Sequence, residues 1–285
     1  MFFSGRRSRS RFFYRADGTP VDLVDLFAGQ AVFLIGNGPS FANVDHSLLQ
    51  KPGIVTMTIN NGGHLFRSDL WIAEDAPHKF MPSIWTDPRI TKFTAYRLRR
   101  RHLRDLESGG HCKMRVADCP NVIYHRRGAR LDPKTWATEK VCQWGRRRGK
   151  KRRCATLMAA FHILFKLGFR RVYLLGADFH MSASNPYFFA QSYNQRTIDN
   201  NNLLLAAIRE MLQDLLPVFV AHGFEVYNCT KESQLSLFPK MELVEAVSKH
   251  IVRLDDSTEG MYRIRVRSSS RPPEGGGGSS LSRVK

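Results

Sequence analysis

A wholly apolar run, Ala31-Val-Phe-Leu-Ile35, passes without a break into Gly36-Asn-Gly-Pro-Ser40. Five apolar residues closed by glycines are too short for a helix and suit a strand covered on both faces, with the turn beyond its carboxyl end. The arrangement recurs along the chain. Ile54–Ile59 leads into Asn60-Asn-Gly-Gly63, Leu70–Ala73 into Glu74-Asp75, and Arg170–Leu175 into Gly176-Ala-Asp-Phe-His180, with Phe224–Tyr227 as a further strand. Two helical stretches lie between. Leu157, Phe161, Leu164 and Phe165 keep helical spacing up to a cap at Gly168; Leu203–Leu216 does so up to Pro217, which stops or kinks it. Short apolar strands alternating with helices predict an α/β fold: a Rossmann-like, mainly parallel sheet with helices on both faces.

In such a sheet ligands bind beyond the carboxyl ends of the strands, so the three glycine- and asparagine-bearing turns are the candidate site. Glycines let backbone N–H groups approach phosphate oxygens, and an asparagine side chain offers a donor and an acceptor to a ribose or base edge. Gly36, Asn37, Gly38, Ser40, Asn60 and Asn61 are therefore candidate nucleotide-binding residues. The dinucleotide fingerprint is not met, because Phe41 stands where its last glycine belongs, and no Gly-Lys-Ser/Thr of a P-loop follows. His180, just past a strand end and beside Asp178, is placed to take a proton near neutral pH; these two are the candidate catalytic residues. Glu74, Asp75 and Asp178 are a candidate Mg²⁺ set, since that ion favours one or two carboxylates plus substrate phosphates. Tyr187, Tyr193, Asn194 and Arg196 suit a lid over a sugar or base. His111, Cys112, Cys119, His125 and Cys142 contain enough nitrogen and sulfur for zinc, but without the C-x-x-C spacing of a structural site.

The motifs Val32–Phe41, Thr58–Asn61 and Leu167–Phe179 resemble the bacterial sialyltransferase family related to lipooligosaccharide enzymes. They are equally similar to the 6-hydroxymethylpterin diphosphokinase-like family, which shares a Rossmann-type core. The resemblance spans residues 30–75 and 154–230. It implies that Asn37 and one of Asn60 and Asn61 contact the nucleotide, that the loop opening the helix before Leu167 touches phosphate, and that a histidine beyond the Gly-x-Asp-Phe strand is the base. The sialyltransferases carry Thr-Ser-Gly in that loop; here Ala155-Thr156-Leu157 stands in its place, which adds Thr156 to the nucleotide-binding set.

Charge divides the chain. Its net charge is +19, but residues 1–15 carry +5, residues 97–153 carry +14 and residues 263–285 carry +5, leaving −5 for the remainder. Single-sign blocks repel themselves and seek a polyanion. Arg99, Arg100, Arg101, Arg126, Arg127, Arg146, Arg147, Arg148, Lys150, Lys151, Arg152 and Arg153 are the candidate nucleic-acid-binding residues, with Tyr96, Tyr124, Trp136 and Trp144 as nearby rings. The expected organisation is a basic arm over 1–20, one α/β nucleotide-binding domain over 21–262 with a basic insertion at 80–153 containing a helix near 96–106, and a flexible tail over 263–285. Residues 1–10 do not read as a secretory signal, no apolar run reaches membrane-spanning length, and five irregularly spaced cysteines suit a reducing, cytoplasmic setting, which is the expectation.

Three functions remain open. One is a glycosyltransferase-like enzyme that moves a sugar from a nucleotide-sugar co-substrate to a hydroxyl, with a modified base in DNA as acceptor, as in virus-encoded DNA hypermodification. The second is a Mg²⁺-dependent diphosphotransferase, and the third a non-catalytic nucleic-acid-binding module.

Overall fold

The computed structural model describes residues 11–252, apart from residue 129 and residues 149–150. Thirteen strands occur among them: β1 Phe13–Tyr14, β2 Pro20–Val21, β3 Ala31–Ile35, β4 Thr56–Ile59, β5 Leu70–Ala73, β6 Thr91–Ala95, β7 His102–Arg104, β8 His111–Arg115, β9 Val122–His125, β10 Gly145–Arg148, β11 Lys151–Cys154, β12 Arg171–Leu175 and β13 Glu225–Asn228. The helices are α1 Gly62–Leu65, α2 Pro82–Thr86, α3 Pro133–Trp136, α4 Thr156–Lys166, α5 Gln195–Ala221 and α6 Leu243–Ser248, with short 3₁₀ turns between strands.

Nine strands make the central sheet in the order β13-β12-β3-β4-β5-β6-β9-β1-β2. Every pairing from β13 to β9 is parallel, and only β1 and β2 are added antiparallel at one edge. Alternation along the central strands shows why they read as unbroken apolar runs. Val32 and Leu34 of β3, with Val172 and Leu174 of β12, enter the cluster built with α4 and α5; Phe33, Ile35, Tyr173 and Leu175 enter a second cluster with Phe41, Leu49 and the α6 residues Ala246 and Val247. Both faces are thus buried, as a parallel sheet requires. Gly168 ends α4 at φ +97, where a Cβ would be strained.

Three expectations are corrected. The segment 80–153 is no insertion, because it supplies β6 and β9 to the sheet. Its strand signal is hidden by Lys92, which lies fully buried inside β6 and donates to the carbonyls of Asp87 (2.6 Å), Ile90 (2.9 Å) and Pro120 (2.9 Å). Burial lowers its pKa to about 8. The helix expected near 96–106 is instead a 3₁₀ turn at Tyr96–Leu98 followed by the β7–β8 hairpin. Its two buried leucines, Leu98 and Leu103, are five residues apart and would face different sides of a helix. The described half of the basic arm, residues 11–20, closes the sheet: Phe12 and Phe13 are buried, and β1 pairs with β9. Of the two outcomes open at Pro217, the helix continues: α5 runs to Ala221 with Leu215 and Phe219 buried on either side of the proline. Residues 1–10 and the tail 263–285 lie outside the described residues. Among the described residues, no helix is long and apolar enough to cross a membrane.

Candidate functional site

The chain leaves β3 towards β4, β5, β6 and β9, then returns to β12 on the other side of β3, so the topological switch point lies between β3 and β12. That is where an open α/β sheet forms its crevice. The two loops leaving these strands are joined. Gly36 N–H donates to the Leu175 carbonyl (2.7 Å) and Gly38 N–H to that of Gly176 (2.9 Å), which continues the strand pairing beyond the sheet. Gly176 holds φ +57, and Gly38 lies so close to the opposite loop that a Cβ would sit 1.9 Å from Asp178 Oδ2. Ser40 completes the junction by donating its hydroxyl and its N–H to the two oxygens of the Asp178 carboxylate. Asp178 therefore latches one loop to the other.

A cavity of about 500 Å³ opens at this junction, lined by Asn37, Asn60, Asn61, Thr156, Asp178 and His180 among others. The residues chosen from three separate turns thus share one space. Their tasks differ. Asn37 Oδ1 is buried without a hydrogen-bond partner among the described residues, an acceptor left for something other than the protein. Asn60 sits at φ +52, and its Oδ1 receives the Thr156 hydroxyl at 3.3 Å. Strained non-glycine backbone of this kind gathers at functional sites. Asn61 faces structural duties: its Nδ2 donates to the Lys79 carbonyl (2.9 Å) and its Oδ1 accepts from Met81 N–H (3.1 Å). His180 is exposed at the cavity wall.

Helix α4 begins at this cavity. Its N-cap is Ala155, which supplies no side-chain acceptor, so the first N–H groups of the helix have no cap. Uncapped N–H groups and the positive end of the helix dipole attract an anion. The 182–194 segment covers another side. Phe188 N–H donates to the Asn37 carbonyl (3.2 Å), while Tyr187 stacks on Phe189 (4.9 Å) and both line the cavity with Tyr193. Burial pushes the Tyr187 phenol well up. Asn194 and Arg196 do not belong to this cover. Asn194 caps α5, accepting from Thr197 N–H at 2.9 Å, and Arg196 is an exposed residue of that helix. Thr197, Asn201, Leu204, Leu205 and Ile208 of α5 also line the cavity. Their helical spacing was the available sequence signal, hidden by the change from polar to apolar residues along the stripe.

The proposed Mg²⁺ carboxylates do not act together. Glu74 is 2 % exposed, and Arg127 donates to both its Oε2 and its backbone carbonyl, while His125 Nε2 lies 2.8 Å from Oε1. Burial opposes the charge of Glu74, yet His125 and Arg127 prevail and hold its carboxyl below the usual range. Asp75 is exposed and pairs with Lys79 at 3.6 Å. Asp178 is held by Ser40. Among the described residues, no three His, Cys, Asp or Glu side chains form a group that could hold a metal ion, which removes the zinc set His111, Cys112, Cys119, His125 and Cys142 as well. Two of that set, His125 and Cys142, are wholly buried.

The basic residues separate in the same way. Arg100, Arg101 and Arg126 are exposed, whereas Arg99 is half-buried over the Tyr96 ring (4.0 Å). Arg127, one residue on from Arg126, turns inward to Glu74 and cannot reach a nucleic acid. Arg146, Arg147, Arg148, Lys151, Arg152 and Arg153 form the β10–β11 hairpin in the register Arg146↔Arg153, Arg147↔Arg152 and Arg148↔Lys151; Lys150 lies outside the described residues. Both basic hairpins border the cavity. The chain enters the second from Trp144 and leaves it at Cys154, and the first packs on Pro77–Lys79; Trp144, Cys154 and Lys79 all line the cavity.

No protein-family model matches the chain, and no curated protein matches it. Solved structures with a similar course include the MAf glycosyltransferase from Magnetospirillum magneticum AMB-1 (14% identity, TM-score 0.47, 81% of this chain and 35% of that one). The sialyltransferase CstII from Campylobacter jejuni in complex with a substrate analogue, cytidine-5'-monophosphate, is another (13%, TM-score 0.40, 75% and 85%). A third is sialyltransferase CST-II with a trisaccharide acceptor and CMP (15%, TM-score 0.40, 74% and 86%). The chain spans about a third of the length of the Magnetospirillum protein.

Proposed function

We propose that this chain is a glycosyltransferase that moves a sugar from a nucleotide-activated donor to a hydroxyl of a polyanionic acceptor, with DNA as the acceptor its charge fits best. The observation that carries the reading is the cavity at the β3–β12 switch point. There, the unpartnered Asn37 Oδ1, the strained Asn60 and the uncapped start of α4 face one another. Asn37 receives a donor group of the base or ribose, and the first N–H groups of α4 receive the phosphate. As the bond from the sugar carbon to the phosphate oxygen breaks, those N–H groups stabilise the charge that collects on the departing phosphate. The acceptor oxygen forms the new bond to that carbon, and His180 takes its proton. Asp178 keeps the two loops in register.

The basic hairpins at the rim support a polyanionic acceptor, because counterions released from its phosphates favour binding at low salt. The diphosphotransferase reading loses its ground, since Glu74, Asp75 and Asp178 each already have a protein partner.

Thermal-shift titration with cytidine, uridine and guanosine nucleotide sugars tests the reading. Stabilisation by a nucleotide sugar, lost in Asn37→Ala, is expected. A panel that leaves the melting curve unmoved overturns it. His180→Asn should keep that stabilisation and lose turnover of the responding donor.

A further inference from the structure

Four aromatic rings lie near the basic runs in sequence, and the fold brings one of them to the cavity. Tyr124 and Trp136 are 1 % and 0 % exposed. Tyr96 is half-buried beside Arg99 and does not line the cavity. Trp144 alone of the four lines the cavity.

One side of the ring packs on the main core, and the ring also meets a buried cation. The Arg127 guanidinium lies against the ring, with Cζ 4.2 Å from the centroid. That guanidinium is itself only 8 % exposed and is held by the Glu74 carboxylate and carbonyl. Arg127 Nη1 and Trp144 Nε1 are both buried without a hydrogen-bond partner among the described residues. The Trp144 carbonyl accepts Ala155 N–H at 3.0 Å, which ties the ring to the start of α4. The next residue opens the β10–β11 hairpin, where three register pairs set one cation opposite another. Like charges directly opposite destabilise a strand pair, and a bound polyanion would relieve that repulsion.

We infer that Trp144 is the platform on which one unpaired base of a single-stranded nucleic acid stacks, and that Glu74 and Arg127 are positioning residues that fix its ring. The inference rests on the polyanionic-acceptor reading and deepens it. Base stacking on an aromatic ring tolerates any sequence, while the neighbouring cations follow the backbone. A ring anchored to α4 brings the stacked residue beside the donor phosphate.

The full chain provides its own probe. Of its four tryptophans, Trp71, Trp85 and Trp136 are completely buried, so the quencher-accessible part of the emission belongs to Trp144. Acrylamide quenching is measured alone, with an oligothymidylate of about twelve residues, and with inorganic polyphosphate of equal charge. Shielding by the oligothymidylate and none by polyphosphate is expected. Trp144→Leu should weaken oligothymidylate binding by anisotropy about tenfold, Trp144→Phe should restore most of it, and Glu74→Gln should weaken it while leaving the cation-dependent salt slope unchanged. Oligothymidylate that binds without shielding the emission, polyphosphate that shields it equally, or Trp144→Leu binding as tightly as the parent overturns the inference. Nucleotide-sugar thermal shifts on the same preparations separate the two readings: if they persist while the oligothymidylate arm fails, only this inference falls.

Discussion

Ser40 and Asp178, 138 residues apart, meet at two points: the serine hydroxyl donates to one carboxylate oxygen at 2.7 Å and its backbone N–H to the other at 3.1 Å. This pair joins the loop after β3 to the loop after β12 and sets the width of the cavity between them. Hydrogen bonds to a charged group contribute about 1.5–3 kcal/mol each. Ser40→Ala should therefore lower unfolding free energy by about 1–3 kcal/mol in urea titration, and Asp178→Ala by more, because it removes both acceptors. Both should weaken nucleotide binding. Unchanged stability in Asp178→Ala would remove the latch.

Gly38→Ala attacks the same latch from the backbone. The new Cβ would lie 1.9 Å from Asp178 Oδ2 and 2.6 Å from the Gly176 carbonyl oxygen, and backbone cannot move aside as a flexible side chain does. A cost of about 1–3 kcal/mol is expected, the range for forcing extra atoms into a packed site. Gly110→Ala meets only the Ser108 hydroxyl at 3.4 Å and should be close to neutral.

The Glu74–Arg127 pair should be far more sensitive to losing one partner than to losing both. Arg127→Met leaves a carboxylate buried beside a histidine and should cost about 3–5 kcal/mol, whereas the double variant Glu74→Gln/Arg127→Met should recover part of that loss. Chemical denaturation of the three variants gives the coupling directly. Additive losses would mean that the pair contributes nothing as a pair.

Acid should destabilise the chain in a window set by His162. The ring is fully buried, stacked on Trp136 at 4.7 Å, and its Nδ1 accepts Gln143 N–H at 2.8 Å. Burial, with Lys166 nearby, pushes its pKa well below the ordinary 6.5. Only the unfolded chain then takes up a proton as pH falls through 6.5, so stability declines by up to about 1.4 kcal/mol per pH unit below that value. His250 is shifted in the same direction and adds to the slope. Glu74, with a lowered folded pKa, contributes stability that is present above its unfolded value of 4.5 and is lost as pH falls further. Urea midpoints between about pH 7.5 and 5.5 should fall in the parent and fall much less in His162→Gln, which keeps an acceptor for Gln143.

The hairpin Gly145–Cys154 should carry much of the salt dependence of polyanion binding. Replacing Arg146, Arg147, Arg152 and Arg153 with serine should reduce the slope of log affinity against log salt by about 0.9 for each duplex phosphate that is no longer neutralised. An unchanged slope would place the acceptor elsewhere.

The parallel strands β3, β4, β5 and β12 and the glycine turns after β3, β4 and β12 were legible in the sequence because a strand covered on both faces is written mainly in apolar and β-branched residues. The cavity residues Asn37 and Asn60 followed from that placement, since a ligand crevice has one location in such a sheet, whereas Thr156 came from the resemblance of its loop to that of the sialyltransferases. β6 and β9 were not legible. A buried lysine satisfied by three carbonyls makes β6 look like surface, and no local pattern announces those acceptors. The division of labour within the site was also beyond the sequence: Asn37 keeps an open acceptor while Asn61 is spent on Lys79 and Met81, and neighbouring Arg126 and Arg127 point to solvent and to Glu74. Local periodicity determines which segments are strands and helices, because it depends on residues a few positions apart. Which polar groups are left for a ligand depends on partners tens of residues away, and only the assembled sheet brings those together.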